Sequence, residues 1–197
     1  MKHYSYLDTL GMFICMILRH SPEEINIVLD EHGWANVDEL IKGISNAGYK
    51  INIDILEKIV KEDNKQRYSF NEDHSLIRAN QGHTIPVDVD LYELTKDDID
   101  KIDVLYHGTS TRFVPSIDKK GILRMQRNYA QLSTDIETAK SVGRRHNRKY
   151  PGNICIYVID IKSMFNDGIK IFRSVNNVYL THHVPTKYFI EKIIIEE

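Results

Sequence analysis

The residue types with the greatest chemical reach in this chain are arginine and histidine, and they gather at the ends of segments. They are Arg19-His20, Arg67, Arg78, His83, His107, Arg127 and Arg144-Arg145-His146. A guanidinium presents a planar fork of donors that suits bidentate contact with a phosphate. Several of them, brought together from separate segments, could surround a phosphate dianion and stabilise charge while it is transferred. Each also has a structural reading when taken singly. Arg19 and His20 follow an apolar helical pattern, where the helix dipole favours a cation, and Arg78 could simply brace a hairpin. The stretch Leu76-Ile77-Arg78-Ala79-Asn80-Gln81-Gly82-His83-Thr84 begins as an apolar strand and ends in polar residues around a glycine. Such an ending offers donors and acceptors but little apolar mass. A binding site and a polar turn after an edge strand both satisfy that pattern locally.

Other chemistries have no signature. There is no GxGxxG, P-loop, GxSxG or HExxH. His182-His183 is an adjacent pair, whose side chains in a strand point to opposite faces, so no shared metal is expected there. The two cysteines, Cys15 and Cys155, sit in apolar runs without metal-ligand spacing and read as core thiols of a reducing, cytoplasmic protein. Nothing approaches an apolar run of about 18 residues, so neither a membrane span nor a secretory leader is expected. The net charge of −2 conceals an asymmetry, with −9 over residues 1–100 and +7 over 101–197. The second half therefore favours an anionic ligand such as a dinucleotide or a nucleic-acid phosphate, or else the two halves attract each other.

The elements that must position these groups are legible in outline. Tyr6 to about Leu18 is apolar on nearly every side, as a buried helix is, and Ser21-Pro22 stops it. Ile25, Ile27 and Leu29 alternate with polar or exposed positions and suggest a short strand, followed by a turn at His32-Gly33-Trp34. Asn36 with Glu39 opens a helix that ends at Gly48, and Asn52 or Asp54 opens a third. Arg67 to Phe70 and Ser75 to Arg78 form two strands around Asn71-Glu72-Asp73-His74. Three helices followed by a hairpin is the order of a winged helix. Residues 85–103 form an acidic connector that reads as a solvated face, with a domain boundary near residue 100. Beyond it, Val104 to Ser110 predicts a strand opening into a polar turn, and Phe113 to Lys120 a helix closed by Gly121. Tyr129 to Ser133 predicts a strand. A helix capped by Ser133 or Thr134 is expected to end at Gly143. Ile154 to Ile159 is the strongest strand. Ile169 to Arg173, Val178 to Thr181 and Phe189 to Ile195 complete the expected sheet.

On these residues the chain resembles the RNA 2′-phosphotransferases, also called tRNA 2′-phosphotransferases. The pieces that carry the resemblance are Leu18-Arg19-His20, Asp30-Glu31-His32-Gly33-Trp34, Asp63-Asn64-Lys65-Gln66-Arg67-Tyr68, Ile77 to Thr84, Leu105 to Thr109, Leu132-Ser133 and Gly143-Arg144-Arg145-His146. They stand in the family's order and span nearly the whole chain. The resemblance implies an α+β protein. Residues 1–100 would be a winged-helix lobe that engages RNA. Residues 101–197 would be an ADP-ribosyltransferase-like, mixed β lobe that binds NAD⁺. The family's essential Arg-His-Arg-Arg set maps onto Arg19, His20, Arg67 and Arg145, the last beside Arg144. Its NAD⁺-binding turn maps onto His107-Gly108-Thr109, with Thr111 and Ser133 as further candidates. Arg78, Asn80, Gln81 and His83 would meet RNA or its phosphates, and no metal is expected. One departure stands out. The family commonly reads Arg-x-His-Val-His-Leu-Ser where this chain has Arg127-Asn128-Tyr129-Ala130-Gln131-Leu132-Ser133, so both histidines are replaced.

The implied activity consumes NAD⁺ as a co-substrate to remove an internal RNA 2′-phosphate. It passes through an ADP-ribosylated RNA 2′-phosphate and yields RNA 2′-hydroxyl, ADP-ribose 1″,2″-cyclic phosphate and nicotinamide. The expected partner is a 2′-phosphorylated, tRNA-like RNA, and the expected state a monomer. Arg19, His20 and Arg67 are expected to face His107 and Arg145 across a cleft. Two competing readings predict different products. An NAD⁺-dependent ADP-ribosyltransferase acting on nucleic-acid ends would leave a retained ADP-ribosyl-RNA. A non-catalytic winged-helix binder would show salt-sensitive RNA binding without nicotinamide release.

Overall fold

The computed structural model of the chain describes residues 5–196. The fold is mixed α+β, and the chain divides into two compact units, residues 1–90 and 91–197. The division falls ten residues before the boundary expected near residue 100, because Tyr92–Glu93 is a strand of the second unit's sheet.

In the first unit, α1 (Tyr6–Arg19) starts on a reciprocal cap. Ser5 accepts from the Asp8 amide and the Asp8 carboxylate accepts from the Ser5 amide. Leu10, Ile14, Ile17 and Leu18 are fully buried, three to four residues apart. Each such burial contributes about 1.5–3 kcal/mol. The strand expected over Ile25–Leu29 does not form. Pro22 starts a 3₁₀ turn that ends at Ile25, and Asn26 takes a left-handed conformation at φ 56°. Ile25 and Ile27 are buried while Val28 is 80% exposed, so the alternation is real but no strand pairs with it.

β1 (Trp34–Asn36) leads into α2 (Val37–Asn46), which Asn36 caps by accepting from the Glu39 amide. α3 (Ile53–Glu62) is capped in the same way by Asn52. β2 (Tyr68–Phe70) and β3 (Leu76–Ala79) form the expected hairpin. β1 adds to β3 as a third, antiparallel strand in the order β1-β3-β2. A three-residue strand carries too little periodicity to be read from sequence. The first half of the acidic connector is not a free solvated face: the Asp88 amide donates to Glu31, and Val89 is buried.

The second unit opens with β4 (Tyr92–Glu93) and α4 (Lys96–Asp100), the latter closed by a reciprocal cap between Thr95 and Asp98. β5 (Leu105–Ser110) runs through the whole segment expected to turn, and the turn comes at Thr111–Phe113. α5 (Val114–Lys120) ends at Gly121, whose φ of 76° suits glycine. β6 (Ile122–Leu123) and β7 (Ala130–Leu132) follow.

α6 (Ile136–Lys149) corrects two expectations. Its cap is Asp135, which accepts from the Thr138 amide at 2.7 Å, not Ser133 or Thr134. It also passes through Gly143 rather than ending there. A Cβ on Gly143 would lie 2.6 Å from Ile154 and 3.0 Å from the Thr109 carbonyl oxygen. The glycine is therefore a close-packing position, and Arg144, Arg145 and His146 stand on the helix.

β8 (Ile154–Ile159) is buried throughout. It is central to an antiparallel sheet with β5 on one side and β12 (Phe189–Ile195) on the other. α7 (Ile161–Asn166) follows β8. β9 (Phe172–Arg173), β10 (Tyr179–Thr181) and β11 (His183–Val184) do not extend this sheet. Instead β4-β9-β10-β7 form a separate four-stranded sheet, and β11 pairs with β6. The sheets touch where Ser133 and Tyr106 exchange two backbone hydrogen bonds. No helix among the described residues is long and apolar enough to cross a membrane.

Candidate active site

In the first unit, the end of α1 and the polar end of the signature stretch come together. Arg19 is the last residue of α1 and His20 its cap. The Thr84 amide donates to the Arg19 carbonyl at 3.0 Å, and Thr84 Oγ1 lies 3.0 Å from His20 Nδ1. Arg19 carries two buried donors, Nε and Nη2, with no hydrogen-bond partner in the protein. A buried, charged donor left unpaired is costly, and an oxyanion ligand would satisfy both at once.

His83 is 2% exposed, and its Nε2 likewise has no partner. Burial, reinforced by the charges of Arg19, His20 and Arg78, pushes its pKa down to about 3. It is therefore a neutral imidazole among cations. Gln81 is buried beside it. Arg78 has a bracing role. Its guanidinium lies 4.4 Å over the Trp34 ring, and Nη1 donates to Asp90 at 2.9 Å and to the His32 carbonyl at 3.4 Å. Its Nε remains buried and unpaired.

Arg67 is placed by a tight local device. Gln66 before it adopts φ 45°, in the left-handed region. Asn80, 3% exposed, holds that residue: its Nδ2 donates to the Gln66 carbonyl at 2.7 Å while its Oδ1 accepts from Ser69 at 2.7 Å. Both polar groups of Asn80 are thus engaged within the protein. Asp63 accepts from the Arg67 amide at 2.6 Å and from Nη1 of its guanidinium. Arg19 and Arg67 both lie within electrostatic reach of the Tyr68 hydroxyl, which donates to the Gly11 carbonyl at 2.5 Å. Burial raises the Tyr68 pKa and the two arginines oppose it. The structure therefore gathers Arg19, His20 and Arg67 in one unit, with Arg78 and His83 against Arg19.

In the second unit the cluster forms around the middle of β5. His107 Nδ1 lies 3.0 Å from the Gln131 carbonyl oxygen. A carbonyl only accepts, so Nδ1 carries the proton and Nε2 the lone pair. Burial lowers the His107 pKa to about 4, with His146 and Arg127 adding to the effect. Arg127 Nη1 donates to the Gln131 side-chain oxygen. Gln131 thus ties His107 and Arg127 to one residue. Thr109, 2% exposed, places its Oγ1 3.3 Å from His146 Nδ1. Burial and the charges of Arg145 and Arg127 lower the His146 pKa. Arg145 and Arg144 are exposed on α6.

The other expected residues of this unit lie nearby but are partly used in packing. Gly108 lets β5 approach α6: a Cβ there would fall 1.7 Å from the Ala139 carbonyl oxygen. Thr111 Oγ1 accepts from the Asn153 amide at 2.9 Å. Ser133 is half-buried beside Tyr106. Among the described residues no group of three or more His, Cys, Asp or Glu could hold a metal. His183 Nε2 instead donates to the Lys120 carbonyl, and His182 stacks on Tyr129.

Four side chains that organise these clusters had no assigned role in the sequence reading: Asp63, Thr84, Arg127 and His146. Asp63 and His146 sit inside the quoted motifs, and the i,i+4 spacing of Asp63 to Arg67 was the available signal. Thr84 lies 64 residues from His20, and no local pattern could connect them.

The geometry agrees with what known proteins show. A family model described as "RNA 2′-phosphotransferase, Tpt1 / KptA family" matches residues 7–183. A relative from Fusobacterium nucleatum, named probable RNA 2′-phosphotransferase, is 50% identical over 91% of this chain and 95% of its own. Relatives with the same name from Acaryochloris marina and Escherichia coli are 43% and 37% identical, over 94% and 92% of this chain and 97% and 94% of theirs. The chain belongs to the RNA 2′-phosphotransferase, Tpt1 / KptA family, transferases whose activity is to remove a 2′-phosphate from RNA.

Proposed function

We propose that this enzyme removes an internal RNA 2′-phosphate with NAD⁺ as a consumed co-substrate, releasing RNA 2′-hydroxyl, nicotinamide and ADP-ribose 1″,2″-cyclic phosphate. The observation that carries the reading is the pair of buried, unpartnered donors on Arg19, beside His20 and in the unit that also holds Arg67. Those groups bind a phosphate dianion and hold it in place. Arg19 and Arg67 then supply fixed positive donors as charge builds on the phosphoryl group, and His20 donates to a phosphate oxygen or hands a proton to the departing RNA 2′-oxygen.

The residues of the second unit fit a dinucleotide. Arg127, Arg144 and Arg145 are exposed cations for a diphosphate, and Thr109, Ser133 and the His107 Nε2 lone pair offer partners for ribose hydroxyls. NAD⁺ bound there supplies an electrophilic ribose carbon and nicotinamide as a neutral leaving group. Arg145 completes the positive set. The three helices and the β1-β3-β2 sheet of the first unit support a winged-helix lobe that engages RNA. The β12-β8-β5 sheet with α6 against it supports an ADP-ribosyltransferase-type lobe. Two free cysteines, Cys15 and Cys155, suit a reducing cytoplasm, where a spliced, tRNA-like RNA is the substrate.

The test is to incubate the protein with a short 2′-phosphorylated RNA, with and without NAD⁺, and follow the dephosphorylated strand and the cyclic phosphate. Both should appear only with NAD⁺. Arg67→Ala should lower the rate by about two to three powers of ten. An ADP-ribosyl-RNA that accumulates without cyclic phosphate, or RNA binding with no nicotinamide released, would overturn the reading.

A further inference from the structure

We infer that Thr84 is a positioning residue for His20, and that its hydroxyl keeps a proton on His20 Nε2 whether the ring is neutral or charged. The inference rests on the proposed role of His20 at the phosphate and goes beyond it by assigning the atom that orients the ring. Two contacts join the segments. The Thr84 amide donates to the Arg19 carbonyl at 3.0 Å, and Thr84 Oγ1 lies 3.0 Å from His20 Nδ1.

The first contact fixes where the hydroxyl sits relative to the end of α1. It closes one of the carbonyls that a helix leaves open at its C-terminus. The second contact fixes the imidazole. A hydroxyl both donates and accepts, unlike a carbonyl or a carboxylate. Against a neutral ring, the Thr84 O–H donates to the Nδ1 lone pair, and the ring proton must then reside on Nε2. Against a protonated ring, Nδ1–H donates to Oγ1 and Nε2–H is retained. In both states Nε2 presents a donor, which is what a phosphate oxygen requires. A carboxylate in place of Thr84 would instead draw the neutral ring's proton to Nδ1 and leave a lone pair facing the anion.

The charge around this pair favours a neutral partner. Arg19 adjoins His20 on the same element. Arg19, His20 and Arg78 act together on His83, on the segment that carries Thr84. An acid there would pair with those cations and compete with the substrate for them. Threonine orients the ring without adding charge.

The experiment compares the full-length protein with Thr84→Val and Thr84→Ser. Valine keeps the branched shape and the backbone amide but removes the hydroxyl, and serine restores it. Two readouts are taken. Ring ¹⁵N chemical shifts of His20 report its tautomer in the free protein. Turnover of a short 2′-phosphorylated RNA with NAD⁺ reports kcat and KM. We expect wild type and Thr84→Ser to show the Nε2–H tautomer, and Thr84→Val to show a mixture. We expect kcat to fall about 10- to 100-fold in Thr84→Val, as when a supporting partner is removed, and to recover to within about threefold in Thr84→Ser. An unchanged His20 tautomer in folded Thr84→Val, or an unchanged kcat, overturns the inference. A wild-type protein with no turnover would overturn the reading of the site, while the tautomer comparison would still decide the link between Thr84 and His20.

Discussion

The carboxylate of Asp63 grips Arg67 at two points, accepting from its backbone amide at 2.6 Å and from its guanidinium. One side chain thus sets both where Arg67 begins and where its charge ends. Asp63→Asn keeps an acceptor for the amide but loses the charge that steers the guanidinium. We expect it to fold, with a thermal midpoint within a few degrees of wild type, and to turn over 2′-phosphorylated RNA about tenfold more slowly. Asp63→Ala, which loses both contacts, should be slower again. Equal rates for all three would show that Arg67 needs no such support.

Asn80 tests whether the signature stretch contacts substrate directly or through the backbone it holds. Its two side-chain bonds go to Gln66 and Ser69, and it is nearly inaccessible. Truncation to alanine leaves the Gln66 carbonyl, at a left-handed residue, without its donor. The cost should be about 1–3 kcal/mol per polar group left unsatisfied, read as a lowered urea midpoint. Activity should fall as well, because Gln66 precedes Arg67. Lost activity with undiminished stability would point to direct contact instead.

Gly108 separates packing from binding in the second unit. A methyl group there would sit 1.7 Å from the Ala139 carbonyl oxygen, so β5 and α6 would have to part. We expect Gly108→Ala to destabilise the second unit outright, seen as lost near-ultraviolet dichroism and lower expression. The strand-to-helix approach is then the first reason for this glycine. A folded Gly108→Ala protein that merely binds NAD⁺ less well would reverse that ranking.

The buried histidines give the protein an acid-sensitive stability. His83 and His107 have folded pKa values near 3 and 4, against about 6.5 when unfolded. Between those limits the unfolded chain binds protons that the folded one refuses, so stability rises with pH. Going downward, each histidine removes up to about 1.4 kcal/mol per pH unit, beginning near pH 6.5 and ending near its folded value. Denaturant titrations from pH 7 to pH 4 should show this loss. His83→Gln should flatten the profile, because the neutral amide does not titrate beside Arg19, His20 and Arg78. A wild-type profile level across that range would show that neither histidine is held neutral.

The sequence alone determined what depends on short range. Ser5, Asn36 and Asn52 announce helix starts because a cap is a bond between residues three apart. The hairpin at Asn71–His74 and the buried strand Ile154–Ile159 follow from turn chemistry and an unbroken apolar run. The arginines and histidines were visible as a set, and their order along the chain carried the family resemblance. The tertiary structure decided what depends on distant partners. It made Gly143 a contact inside α6 rather than its end, because Ile154 and Thr109 crowd that position. It recruited Trp34–Asn36 and Tyr92–Glu93 as strands through partners 40 to 80 residues away. It also set Thr84 against His20 and left Arg19 with two unanswered donors. A local pattern fixes which backbone a segment prefers. Which polar groups remain unpaired, and so are ready for a ligand, depends on what every other segment has already satisfied.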